Sequence, residues 1–329
     1  MSKKVLKMLV ASMIVTSMAL TVGCADKSVP TTTPETEVKT EVKTEEGADA
    51  VAGASAAEYE ITDLEWSAQP QLGIIKGDYY KEEQLFRQGH LGSFELVKNG
   101  DKIVKVEFNE NTRPNYYNRL YQDVPKRYSE YNFSMGKAKG AAWVQSVVLV
   151  EKQMLEDQRI TGEFDVVSGA SNSIYQAMLP LAEKVEPLLA ETSNQKFYGI
   201  AEELGGGLTG ELKVIVEDGK IISCRYDEIF ADSPDDITED KLKGFYRQSK
   251  YQSVMYDEPS RIGFNVQMDA LNEKVVETQE LLDLTGLPAI EATGDYGKTG
   301  YTERNTAWDN YLALAEKLLA EMQADKVLY

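Results

Sequence analysis

The residues best placed to do chemistry lie together at Asp165-Val166-Val167-Ser168-Gly169-Ala170-Ser171, where a carboxylate, hydroxyls and small residues share one short stretch. The run that follows is amphipathic. Ile174, Ala177, Met178, Leu181, Val185, Leu188 and Leu189 recur at spacings of three and four, one apolar face of a helix. The small residues therefore sit at a loop-to-helix junction. There the first backbone N–H groups have no internal acceptor, and the helix dipole favours negative charge. That is the chemistry of a phosphate site. The same residues also suit an ordinary Ser N-cap with a Gly turn, which holds no ligand. Other chemistry is sparse. His90 is the only histidine, so a His-based triad or zinc site would have to be built around it alone. Cys224, the one cysteine outside the first two dozen residues, sits in the strand-like run Lys220-Ile221-Ile222-Ser223-Cys224-Arg225-Tyr226 and reads as a buried structural thiol.

The elements that must position this junction begin after a long preamble. Lys3, Lys4 and Lys7 form a basic start, and Met8 to Val22 is apolar, too short to span a membrane comfortably and suited to a signal peptide over residues 1–23. Thr21-Val22-Gly23-Cys24 resembles a lipobox, which implies lipidation of Cys24 and a lipid anchor on the extracellular face of a cell membrane, in a Gram-positive setting. Residues 24–58 then hold the Cys and a low-complexity stretch of Thr, Glu, Lys, Pro and Ala. With almost no large apolar side chains, it cannot offset the entropy of ordering and reads as a flexible stalk. Its random-coil reach is roughly 30 Å.

From about Ile61 the composition becomes globular. The chain has 329 residues, 42% of them hydrophobic, which is room for two ordinary domains. Its net charge of −19 disfavours nucleic acid, whose binding needs a basic face, and disfavours adhesion to anionic membranes. Phe94 to Val97, Asn99-Gly100 and Ile103 to Phe108 predict a β-hairpin. A tyrosine-rich segment follows, Tyr116, Tyr117, Tyr121, Tyr128 and Tyr131, whose rings suit half-buried packing or stacking on a planar ligand. Trp143 to Leu155 predicts a helix leading into the Asp165–Ser171 junction.

Then the plan repeats. Leu212 to Val216, Asp218-Gly219 and Ile221 to Tyr226 mirror the first hairpin. Val266-Gln267 and Leu271 to Lys274 echo Val144-Gln145 and Leu149 to Lys152. Trp308, Tyr311, Leu312, Ala315, Leu318, Leu319 and Met322 form a second terminal amphipathic helix. The expectation is an α+β chain of two tandem units, 59–193 and 194–329, each a twisted antiparallel sheet with packed helices, the boundary lying near Thr192 to Phe197.

The junction resembles the Asp-x-x-Ser/Thr-Gly-Ala-Thr/Ser motif of FMN-binding domains, found in subunits of Rnf-type complexes and sodium-pumping NADH:quinone reductases. The order hairpin, helix, loop, helix resembles that domain along its length. The resemblance implies a covalent FMN, held as a phosphoester on Ser171 by a flavin transferase, with Asp165, Ser168, Gly169 and Ala170 completing the motif; Ser171 replaces the commoner Thr. Asp165 would serve recognition or magnesium binding during transfer, or simply stabilise the turn. In the second unit Thr299-Gly300-Tyr301-Thr302 stands in the motif's place, with Thr302 as acceptor. Tyr301 replaces the small Ala and Asp295 is one residue too distant, so a lapsed site is expected. The whole chain resembles flavinylated surface lipoproteins of extracellular electron transfer. It would be an electron carrier rather than an enzyme, taking electrons from a membrane flavin- or quinone-linked reductase and passing them to soluble flavins or metal ions. The alternatives are a lipid-anchored binding or adhesion module that has lost its cofactor, and a signal-peptide pheromone precursor.

Overall fold

The computed structural model describes residues 67–131, 143–167, 169–256, 263–287 and 306–328. The chain is α+β. Strands β1 (Gly73–Phe86), β2 (His90–Asn99), β3 (Lys102–Asn111), β4 (Gln195–Gly205), β5 (Leu208–Glu217) and β6 (Lys220–Phe230) form one antiparallel sheet in the order β3-β2-β1-β4-β5-β6. Helix α1 (Trp143–Asp157) follows β3. Helix α2 opens as Ser171–Ser173, passes through a π stretch at Ile174–Met178 and continues as Leu179–Val185. After β6 come α3 (Phe264–Thr278) and α4 (Thr306–Ala324). No described helix is long and apolar enough to cross a membrane.

The two hairpins form where the turn residues placed them, with longer arms than the apolar runs suggested. Asp218 and Gly219 close the second at φ 49 and 77, the paired positive values that match strand twist. Along most of the strands the repeat keeps one offset. Asp78 and Lys196 lie 118 positions apart and opposite one another. At that same offset Tyr80 matches Tyr198, Phe94 matches Leu212, Val106 matches Cys224 and Phe108 matches Tyr226, all buried.

One sheet spans both copies, where a sheet for each unit was expected. The boundary near Thr192 to Phe197 is where β4 enters, and β4 pairs with β1 from Gly73↔Ala201 to Asp78↔Lys196. Without that pairing the inner flank of β1 would carry a row of open N–H and C=O groups. Each copy keeps its own apolar core on the helical face. Phe94, Leu96, Val147, Met154, Ile174 and Leu181 belong to one, Leu212, Val214, Leu271, Trp308 and Leu318 to the other. Strand alternation sends Tyr79, Val97, Phe197 and Ile215 to the opposite face as a third, small cluster.

The free edges are covered by side chains of the helices. At the end of α1, Gln158 accepts from the Ile103 N–H (2.9 Å) and donates to the Ile103 carbonyl (3.0 Å). At the end of α3, Gln279 does the same for Ile221, at 2.7 and 2.9 Å. The sheet is also strongly curled. Lys213 of β5 reaches Glu107 of β3 at 3.0 Å, although three strands lie between them. In a flat sheet those strands would be about 19 Å apart, beyond the combined reach of the two side chains.

Candidate functional site

The Asp165–Ser171 loop is pinned at both ends. Val166 and Val167 are buried. Gln153 of α1 brackets Asp165, accepting from its N–H at 2.8 Å and donating to its carbonyl at 2.9 Å. The Asp165 carboxylate takes part in neither bond, and the residue is exposed. Gly169 adopts φ +131, which a side chain would resist, and is exposed. Ala170 is buried, and its carbonyl accepts the first helical bond from the Ile174 N–H at 2.9 Å. The N-cap position thus belongs to Ala170, and no described side chain caps the helix. Ser171 is the first helical residue, half-buried, beside an uncapped N-terminus. Ser168, Thr302 with its surrounding loop, and Cys24 lie outside the described residues.

Behind the first turn of α2 is a polar cluster. Trp143 Nε1 donates to Ser173 Oγ at 3.0 Å. Glu110, 1% exposed, pairs with the Lys126 ammonium, and His90 Nδ1 lies 2.9 Å from its Oε1. Burial by itself would raise the Glu110 pKa, but His90, Lys126 and Ser173 outweigh it and hold the carboxyl below its ordinary value. Burial lowers the Lys126 pKa in spite of Glu110. The ammonium lies 4.7 Å from the Tyr131 ring centre and 5.5 Å from that of Trp143.

The second copy builds the same cluster. Lys250 pairs with Glu228 at 2.6 Å, below Tyr256 and Phe264 at 5.7 and 5.8 Å, while Tyr226 (2.7 Å) and Asn310 (3.0 Å) donate to the carboxylate. In both copies the Lys backbone N–H also donates to the Glu carbonyl, at 2.8 and 2.9 Å. A feature present in the copy whose loop departs from the motif belongs to the fold. The pair fastens the end of β3 or β6 to the loop beside it. Apolar periodicity could not reveal this cluster. The one available signal was the recurrence of Glu110 as Glu228.

Most of the tyrosine segment is packing. Tyr116, Tyr128 and Tyr131 are buried, and the Tyr116 and Tyr131 rings meet edge to face at 5.9 Å. Tyr117, 78% exposed, and Tyr175 of α2, 52% exposed, present rings to solvent. Cys224 is buried as expected, and burial pushes its thiol up to about 12.

No family model matches the chain. No curated protein matches it. Among solved structures, the CPE2226 protein from Clostridium perfringens is similar over 36% of this chain and 96% of its own length, at 18% identity and a TM-score of 0.26.

Proposed function

We propose that this chain is a surface-anchored electron carrier with FMN joined covalently to Ser171. The observation that carries the reading is the coincidence of motif and geometry: Asp165, Gly169, Ala170 and Ser171 match the flavinylation pattern, and Ser171 begins a helix whose N-terminus no described side chain caps. An uncapped helix start suits a phosphate, through its backbone donors and the positive end of the dipole. The Ser171 Oγ would form the phosphoester. Gly169 keeps the approach to the backbone narrow and free of a side chain, and Asp165, with its carboxylate outward, suits magnesium or the transferase. When bound, FMN would supply electron uptake and release, and the protein attachment, position and electrostatics. In this reading 59–193 is the flavin-bearing unit and 194–329, with Thr302, a lapsed copy. Cys24 and the stalk would hold both outside the membrane, between a flavin- or quinone-linked reductase and soluble flavin or metal-ion acceptors.

The test is intact mass after expression with a flavin transferase. The chain should gain one FMN, Ser171→Thr should retain it, and Ser171→Ala should lose it along with the flavin absorbance while folding normally. Retention of covalent flavin by Ser171→Ala would place the acceptor elsewhere.

A further inference from the structure

No described element covers the face of the sheet opposite the helices, yet its side chains are enclosed. Glu107 and Lys213 are only 16% and 19% exposed. The curl of the sheet leaves above them a cleft of about 540 Å³, lined from all six strands. That is the size of small-organic-molecule sites.

The walls differ in charge. Glu95 of β2 lies directly opposite Glu107 of β3. Lys213 of β5 lies directly opposite Arg225 of β6. These are matching positions of the two copies, Glu95 with Lys213 and Glu107 with Arg225, so the charged residues that line the cleft are acidic on β2 and β3 and basic on β5 and β6. Part of this charge is compensated internally. Lys213 holds Glu107 and Glu211, each at 3.0 Å. Glu95 takes the Tyr79 hydroxyl and, among the described residues, pairs only with Lys81, at 3.7 Å; that ammonium sits closer to Glu83, at 2.8 Å. Arg225 makes no ion pair among the described residues.

We propose that this cleft binds a short zwitterionic peptide, its carboxylate on Arg225, its ammonium on Glu95, and its apolar side chains against Leu91 and Ile222. A guanidinium with no ion pair among the described residues is suited to a carboxylate, which it holds by two parallel hydrogen bonds. A cleft with opposed walls favours a ligand with opposed ends over a simple anion or cation. The proposal is independent of any flavin.

The probes are leucyl-leucine, its N-acetyl form and its C-terminal amide, titrated calorimetrically into the full chain. Leucyl-leucine should bind saturably, and either block should weaken it about tenfold or more. Arg225→Gln should remove the penalty for amidation alone, and Glu95→Gln the penalty for acetylation alone. Both side chains are at least partly exposed, so the variants should unfold at the wild-type temperature. Ser171→Ala should bind the dipeptide as the parent does. Equal binding of all three probes, equal penalties in the Arg225→Gln protein, or no binding at about 10 mM, weaker than any specific site of use, overturns the proposal.

Discussion

Asp78 and Lys196 form an ion pair between β1 and β4 at the one place where the two copies of the repeat meet in register. They are the same position of the repeat, and a two-fold rotation that exchanges the halves exchanges these residues. A perfectly symmetric duplicate would set a residue against itself there, and two like charges opposite one another on adjacent strands destabilise a sheet. Divergence to opposite charge removes that conflict and rules out pairing in the wrong sense.

The pair therefore reports on the junction. Asp78→Lys should cost about 0.5–1 kcal/mol, and the exchanged double variant Asp78→Lys/Lys196→Asp should recover most of it. Urea unfolding of the four proteins in the cycle gives the coupling directly. Strictly additive losses would mean that the pair is solvated and idle.

The glutamine clamps should matter more than their place at helix ends suggests. Gln158→Ala leaves both the N–H and the carbonyl of Ile103 without a partner, and Gln279→Ala does the same for Ile221. Each should lower stability by about 1–3 kcal/mol. Each should also raise concentration-dependent association, because it uncovers a strand edge. Light scattering alongside thermal unfolding separates the two effects.

Breaking either buried ion pair should be expensive in both copies. Glu110→Ala and Glu228→Ala each strand a lysine ammonium under aromatic rings, at a cost of about 3–5 kcal/mol. Similar losses in the two copies would support a structural role. A loss confined to Glu110→Ala would tie the cluster to the Ser171 loop instead.

Asp227 should make the protein less stable as pH rises. Burial pushes its carboxyl from 3.8 up to about 7, against the opposing hydrogen bonds from Ser249 and from the Tyr251 and Glu228 N–H groups, with Glu211 adding repulsion. The folded state then binds the proton more tightly than the unfolded chain between those values. Stability should fall through that window by about 1.4 kcal/mol per pH unit, with no effect below it and the full loss above it. The first copy has Asn109 at this position, accepting the matching two N–H bonds at 2.8 and 3.0 Å. Asp227→Asn should thus equal the wild type near pH 4 and exceed it at about pH 8 in urea titrations. A constant difference across pH would mean that the carboxyl titrates normally.

Local chemistry made much of this legible. Asn99-Gly100 and Asp218-Gly219 marked the turns, apolar spacing marked α1, α2 and α4, and the repeated words marked the matching hairpins. Strands β1 and β4 escaped notice, because Lys76-Gly77-Asp78 and Gly199 interrupt any alternation and their pairing is set by a partner more than a hundred residues away. The single sheet follows from that pairing, and so do the curl and the cleft. At the motif, residue types predicted the loop-to-helix junction. They could not show that Ala170 takes the cap position and leaves Ser171 inside the helix, which is set by the burial of Val166, Val167 and Ala170.

The π stretch at Ile174–Met178 has a counterpart in the second copy by contrast only, since α4 runs from Thr306 to Ala324 as uninterrupted α-helix. Such a stretch is what one inserted residue leaves behind when the helix on either side keeps its packing. At 3.6 residues per turn, one extra residue rotates everything before it by about 100°. An added residue there would turn Ser171 and its loop relative to Leu181, Ala182 and Val185, which are buried in the core. A lineage could thus re-aim one copy's loop by a single insertion, leaving the sheet, the helix and the sister copy untouched.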